Sequence, residues 1–505
     1  MLKSTIQITS FSVFGIGITF AIQVLLTFYF GAGEERDAYF AALTIPSYII
    51  ILFTGSLGVM LIPALVSHNR AKNLADEIHF SATVFNWCFI VLLVIISAGL
   101  VFSVKIINLM IPDFKSDFRE IAVKLFRIQL CAAFFVIIST LSGTILQAKH
   151  MFIVPALIPI VTNSVTLIFV ITLSKYYGIS GVAYGNLAGS FLSFVIVAFY
   201  TLKLYDFHWK ASLFHPGLSS IFGASVPLFA AGIFFRSSTV IERFLAARLP
   251  EGGISYLGSA NQIVVMLSSI ITAGLATSSF PVLSKYWQEQ NSDLLKQNFK
   301  RLIVLILMIV IPLIVVFIVN GVSIIRIVFE HGVFSSNDTL ALYRTMVGLM
   351  GFFLFTCLGS IVSKILYLSQ NTWAVSLIAG FEIIIYFVLA MILIKRYEYL
   401  GLAMGLSLSA GVNIIVSLMF IKKRIIFFKW SPVNRQFILL LFWTILIAVI
   451  CHFINVEVLN FLPSLLKVMI STVLILVSFL YLFSIVFKVQ DLNNALLTFK
   501  KTLYH

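Results

Sequence analysis

Leu302-Ile303-Val304-Leu305-Ile306-Leu307-Met308-Ile309-Val310-Ile311-Pro312-Leu313-Ile314-Val315-Val316-Phe317-Ile318-Val319 carries no polar side chain. A run of that length needs only a few more residues to span the hydrocarbon core of a bilayer, about 30 Å, as a helix. It is not a solitary anchor. Runs of about 20 apolar residues recur from end to end of the chain, the signature of a polytopic helical membrane protein. The composition agrees. Of 505 residues, 60% are hydrophobic and 10% charged, and the mean hydropathy is +1.08. A soluble globular chain is nearer 45–50% apolar with about 25% charge. A soluble enzyme, a disordered chain and a coiled coil are excluded.

The pattern predicts about fourteen spans: near 11–31, 38–66, 83–104, 128–147, 152–174, 179–202, 219–247, 254–281, 302–325, 343–366, 372–394, 399–421, 436–455 and 462–487. An even count puts both termini on one side. Lys422, Lys423, Arg424, Lys429 and Arg435 crowd one loop on that side, and Lys285, Lys296, Lys300 and Arg301 another. The positive-inside rule makes that side cytoplasmic. The net charge of +15 then reflects orientation and contact with anionic lipid. No basic patch with interleaved aromatics stands free of a span, so nucleic acid is not an expected partner.

Cys88, Cys131, Cys357 and Cys451 all lie in apolar runs with no metal-ligand spacing, and read as small packing residues. Lys3 leads into an apolar run reaching Phe30, too long for a cleavable signal peptide. The stretch 113–127 looks amphipathic, with Phe114, Phe118, Ile121 and Leu125 opposite Lys115, Asp117, Arg119 and Glu120. It is expected to lie on the outer bilayer surface.

An internal repeat organises the spans. The second reads Asp37-Ala38-Tyr39-Phe40-Ala41-Ala42 and ends Ile62-Pro63-Ala64-Leu65-Val66-Ser67. The eighth reads Ile254-Ser255-Tyr256-Leu257-Gly258-Ser259-Ala260 and ends Phe280-Pro281-Val282-Leu283-Ser284. Both spans are even-numbered and therefore parallel, which implies two lobes about an axis along the membrane normal with a cavity between them. With the polar loop 203–218 as boundary, the expectation is an all-α protein. Its lobes are 1–203 and 218–425, followed by two further helices in 436–487 and a cytoplasmic tail, 488–505.

Enzyme chemistry finds no foothold. There is no phosphate loop, HExxH or nucleophile elbow, and the eight histidines are scattered. What remains are charges inside apolar spans, each costly and therefore a candidate for function. Arg236, Glu242 and Arg243 lie in the seventh span, with Glu242 and Arg243 near its outer end. Lys364 is near the inner end of the tenth, where snorkelling is the competing reading. Glu382, near the middle of the eleventh, has no base within a turn. It must pair with another helix, bind a cation or be protonated. One reading joins Glu242 and Glu382 in a cation or proton site. Arg236, Arg243 and Lys364 would then attract an anionic, phosphate-bearing substrate.

Phe30-Gly31-Ala32-Gly33-Glu34-Glu35-Arg36-Asp37-Ala38-Tyr39-Phe40-Ala41-Ala42 with Ile45-Pro46 resembles the opening signature of the MviN/MurJ family of lipid II flippases. So does Leu245-Ala246-Ala247-Arg248-Leu249-Pro250-Glu251-Gly252-Gly253-Ile254-Ser255-Tyr256. A third match is Phe329-Glu330-His331-Gly332-Val333-Phe334 with Asp338-Thr339. The three occur in the family's order and spacing across roughly 10–425. The resemblance implies a two-lobed exporter that carries undecaprenyl-diphosphate-linked peptidoglycan precursor across the bacterial inner membrane by alternating access. It also implies a groove for the lipid tail formed by the last two spans.

The resemblance has gaps. Ile16, Ile22, Ile50 and Ile51 stand where the family carries arginines, and Gly55 where it has an acidic-glycine step. Ala260-Asn261-Gln262 replaces its Ala-Asp-Arg, whereas Asp37 and the Glu242-Arg243 pair are retained. The implied substrate residues are Arg36, Asp37, Arg236, Arg243 and Lys364. Glu242 and Glu382 are the implied coupling residues, with Na+ or H+ as the ion and no cofactor or metal. A monomer working beside cell-wall synthesis proteins is expected. The alternatives are another lipid-linked oligosaccharide, a drug or small-cation exporter, or a scaffold without transport.

Overall fold

The computed structural model describes residues 2–70, 74–204, 212–216, 232–233, 237–368, 372–424, 434–458 and 463–486. It is helical throughout, with no strand among the described residues. Two compact units divide the chain, Lys3–Ser255 and Tyr256–His505.

The first unit holds α1 (Leu2–Phe30), α2 (Glu34–Arg70), α3 (Leu74–Val101), the short α4 (Ser103–Met110), α5 (Ser116–Ala148), α6 (Ile153–Tyr177) and α7 (Ser180–Leu204), then α8 (237–246). Helix α9 (Gly253–Gln288) starts in this unit and continues in the second. There it is followed by α10 (Ser292–Phe329), α11 (Ser336–Leu368), α12 (Thr372–Arg424), α13 (Asn434–Phe453) and α14 (Ser464–Val486). Glu398 breaks α12 at φ 50°, ψ −129°, so α12 is two arms, 372–397 and 399–424. Eleven described helices are long and apolar enough to cross a membrane. Adding the second arm of α12 and the apolar Phe442–Phe453 of α13 brings the described crossings to about thirteen, in line with the number expected.

Membrane helices cannot use water expulsion to associate, so close packing and hydrogen bonds between helices hold them. The α6–α7 pair illustrates this. Gly181, Gly185 and Gly189 face α6 at four-residue spacing. A Cβ added at Gly189 would lie 2.5 Å from the Thr162 carbonyl oxygen, and one at Gly185 2.6 Å from Phe169 Cβ. The backbones therefore touch, and Thr162 and Ser193 hydroxyls share a hydrogen bond of 2.9 Å across the seam. An apolar cluster including Phe53, Phe80, Leu92 and Ile137 joins α2, α3 and α5. In the second unit Val315, Cys451, Ile475 and Phe479 join α10, α13 and α14. The four cysteines are free, Cys357 and Cys451 buried, as packing residues should be.

One expectation is corrected. The stretch 113–127 is not a separate surface helix: from Ser116 it forms the first turns of α5, which runs unbroken to Ala148. Of its apolar face Leu125 is buried, and Phe114, Phe118 and Ile121 are half-buried. Helix α4 packs on α5 with its Ile107 and Met110 buried, and the Arg127 Nε donates 2.8 Å to Ser103 Oγ.

Candidate functional site

The charged residues of the first unit converge where α2 begins, α8 ends and α9 begins. Gly31, at φ 57°, ends α1 and turns the chain so that α2 starts with Glu34, Glu35, Arg36 and Asp37. Gly252, at φ 86°, does the same before α9; a side chain there would be strained. The turn aims the Gly252 and Ser255 N–H groups at one carboxylate. They donate to Asp37 Oδ2 at 2.8 Å and Asp37 Oδ1 at 2.6 Å. Asp37 thus caps the N-terminus of α9 from another helix, where both the free N–H groups and the helix dipole favour an anion.

Arg243 sits beside this cap. Its Nη1 donates 2.7 Å to the Ile254 carbonyl and lies 3.6 Å from Glu242 Oε1, an oxygen that accepts no hydrogen bond. The Arg36 Nη1 donates 2.7 Å to the Gly31 carbonyl. Both guanidiniums approach the Phe40 ring, at 5.6 Å for Arg36 and 5.2 Å for Arg243. That is cation–π range. All four ionisable residues are at least nine-tenths buried: Arg36, Asp37, Glu242 and Arg243 are 1%, 3%, 1% and 6% exposed. Two positive and two negative groups balance, which buried charge requires.

An exposed layer covers the same ends. The Lys115 Nζ meets Glu34 Oε1 at 2.8 Å, and the Glu34 N–H donates 3.3 Å to Glu251 Oε1. The hydrogen bond to Glu34, and then its charge, hold the Lys115 ammonium above the ordinary lysine value.

In the second unit, Glu382 accepts a 2.6 Å hydrogen bond from Asn413 Nδ2 on the other arm of α12, and the Ser417 Oγ donates 3.3 Å to Asn413 Oδ1. The sequence required some partner for Glu382 and this is the one it has. Lys364 Nζ lies 5.7 Å from the Phe280 ring centroid. The Phe329–Thr339 motif is a turn-and-cap. Asp338 accepts from Tyr256 OH at 2.5 Å and from the Ser335 N–H at 2.8 Å, while Thr339 Oγ1 donates 2.8 Å to Glu330 Oε2. Arg236 lies outside the described residues.

The structure therefore brings Arg36, Asp37, Glu242 and Arg243 together. Glu242 belongs to the first unit and Glu382 to the second, each with its own local partners. Phe40, Asn413 and Lys115 were missed as site residues. Phe40 carries no signal beyond an aromatic in an apolar run. Asn413 is polar in the middle of a span, which was a usable sign.

An all-helical chain with about thirteen described crossings and a buried quartet of ionisable side chains is a multi-pass membrane protein in class. Known proteins narrow this. The model of the family described as "Lipid II flippase MurJ" matches residues 26–475. A "Probable lipid II flippase MurJ" of Buchnera aphidicola subsp. Baizongia pistaciae is 25% identical over 470 residues, covering 90% of each chain. A "Lipid II flippase MurJ" of Burkholderia cenocepacia is 21% identical over 476 residues, again 90% of each. Among solved structures, "Lipid II flippase MurJ, inward closed conformation" superposes with a TM-score of 0.79 at 23% identity, over 95% of this chain and 98% of that one. An inward-facing multidrug-resistance MATE family transporter gives 0.68 at 18% identity, over 83% and 96%. The chain belongs to the MurJ lipid II flippase family. It is a multi-pass inner-membrane protein of a family of transporters, not of enzymes.

Proposed function

We propose that this chain translocates lipid II, the undecaprenyl-diphosphate-linked peptidoglycan precursor, across the bacterial cytoplasmic membrane by alternating access. The observation that carries the reading is the family match over residues 26–475, which takes in both halves and reaches α14. Both termini face the cytoplasm, the lobes are 1–203 and 218–425, and the helices in 436–487 receive the lipid tail. The tail 488–505 lies outside the described residues. The protein works as a monomer beside cell-wall synthesis proteins.

In this account the buried quartet is the part of the site that must rearrange. Asp37 ties α2 to the start of α9 through two backbone bonds. If the ends of these helices part, both bonds break and the Asp37 carboxylate loses its two donors. A substrate can drive that only by binding the parted state more tightly. Arg36 and Arg243 are the groups released to meet a diphosphate, with Asp37 as their counter-charge in its absence; Arg236 and Lys364 complete the set. Glu242 and Glu382 carry the coupling cation, Na+ or H+.

One observation favours a second substrate within the same class. Ile50, at a place where the family carries arginine, packs on the apolar cluster of α2, α3 and α5, and Ile22 is buried. A first lobe so depleted in cations suits a different lipid-linked oligosaccharide. Binding separates the two. Purified chain in nanodiscs should retain lipid II and release it to excess lipid II, but not to an undecaprenyl-diphosphate-linked oligosaccharide of another composition. Preference for the latter would replace the substrate while keeping the class.

A further inference from the structure

The segment 212–216 follows α7 and leads toward α8, and its reading as a boundary loop treats it as a passive connector. Its contacts say otherwise. Asp76, His79, Thr83, Asn86 and Trp87 lie on one face of α3, at the three-, four- and seven-residue spacings that repeat along a helix. Four of them grip this segment. Trp87 Nε1 donates 2.8 Å to the Leu213 carbonyl. Asn86 Nδ2 donates 2.9 Å to the Ser212 carbonyl. His79 Nε2 and Ser212 Oγ share a hydrogen bond of 2.6 Å. His215 Nε2 is 3.2 Å from Asp76 Oδ1, and its ring packs edge-on against those of His79 and Phe80, each at 5.1 Å. Beside it, Lys149 at the end of α5 pairs with Glu77 at 2.7 Å.

We infer that Asp76, His79, Asn86 and Trp87 are positioning residues: they strap segment 212–216 to α3, so that this segment is a fixed part of the first unit. Two of the bonds capture backbone carbonyls. A connector that must flex would leave these carbonyls to water, whereas here a half-buried Asn amide and an indole N–H from the same helix face hold two successive carbonyls. Holding 212–216 fixes where the path toward α8 begins. It also means that transport must be accommodated elsewhere than at this segment. The inference rests on the flippase reading for its assay alone; the docking is read independently.

The test uses full-length chain free of native cysteines (C88A, C131A, C357A, C451A) as the sole flippase of a host. Substituting His79→Cys and Ser212→Cys vacates the imidazole. A short bifunctional methanethiosulfonate then bridges the gap, and reductant removes it. Bridging in intact membranes, with the bridged protein still translocating, is the expected result. No bridging, or translocation lost on bridging and regained on reduction, overturns the strap as a fixed element. In the same background Asn86→Leu with Trp87→Phe should lower translocation about thirtyfold, the population penalty of losing two hydrogen bonds at about 1 kcal/mol each, at unchanged membrane abundance. Bridging 79 to 212 should restore it. A wild-type rate without the bridge, or no recovery with it, would show that positioning is not their role. If the chain with its native cysteines also fails to translocate, the flippase reading falls, while the bridging result still decides whether the strap is docked.

Discussion

Removing the Asp37 cap tests the buried quartet directly. Gly252 N–H donates to one carboxylate oxygen and Ser255 N–H to the other, at 2.8 and 2.6 Å. Hydrogen bonds to a charged group are worth about 1.5–3 kcal/mol each, and loss of an N-cap typically costs about 1 kcal/mol. Asp37→Ala removes both bonds, so a destabilisation of about 3–6 kcal/mol is expected, the sum of two such bonds. Asp37→Asn separates shape from charge. Asn is as good an N-cap as Asp in isolated helices, but here two donors approach two different oxygens and the amide supplies one. The second N–H would then face an NH2, so Asn should recover less than half of the loss. The assay is thermal unfolding of purified protein in a mild detergent, run with Glu35→Gln as an exposed control on the same turn. An Asp37→Asn protein as stable as wild type, or an Ala protein within about 0.5 kcal/mol of it, the usual range for an inert surface change, would refute the two-oxygen cap.

Three further outcomes follow from the same contacts. Gly189→Ala should cost about 1–3 kcal/mol, the overpacking range, because its Cβ would meet the Thr162 backbone at 2.5 Å; Gly17→Ala, with open space around it, should be neutral by the same thermal assay. Glu382→Gln keeps an acceptor for Asn413 Nδ2 but removes the charge, so unfolding should be unchanged while translocation stops responding to an imposed ion gradient; full gradient-driven activity would remove Glu382 from coupling. Lys115 has its folded value raised by Glu34. Its contribution is therefore complete below the ordinary lysine value and fades as pH climbs through the raised one. The stability difference between wild type and Lys115→Ala should shrink to nothing in strongly alkaline buffer and stay flat from pH 6 to 8.

Much of the architecture was legible because hydrocarbon demands it. Leu302–Val319 can only be a buried or spanning helix, and the charge-free runs mark the crossings one by one. The gap between 394 and 399 was readable as a break in what is otherwise one long helix, and Glu398 supplies it. Periodicity failed at 113–127, since an apolar face looks the same whether lipid or α4 will cover it. The site divides similarly. Glu242 and Arg243 stood out as charges near a span end, and Arg36 and Asp37 through the family motif that opens α2. Their meeting could not be read locally, because Asp37 reaches Gly252 and Ser255 some 215 and 218 positions away. Glu382 announced that it needed a partner, but only the folding back of α12 at Glu398 identifies Asn413. The strap on α3 hid in an ordinary-looking stripe of Asp76, His79, Asn86 and Trp87, since nothing in a stripe tells which backbone will lie along it.

The central claim is that this chain moves lipid II from the inner to the outer leaflet. The most direct measurement expresses it in a bacterial host depleted of its own lipid II flippase. Precursor at the outer leaflet is scored with a membrane-impermeant enzyme that cleaves the exposed diphosphate. Cleavable precursor should return to the level given by the host's flippase, and Asp37→Ala protein should fail to restore it. Precursor that stays protected in the inner leaflet, with the chain confirmed in the membrane at normal abundance, would contradict the account.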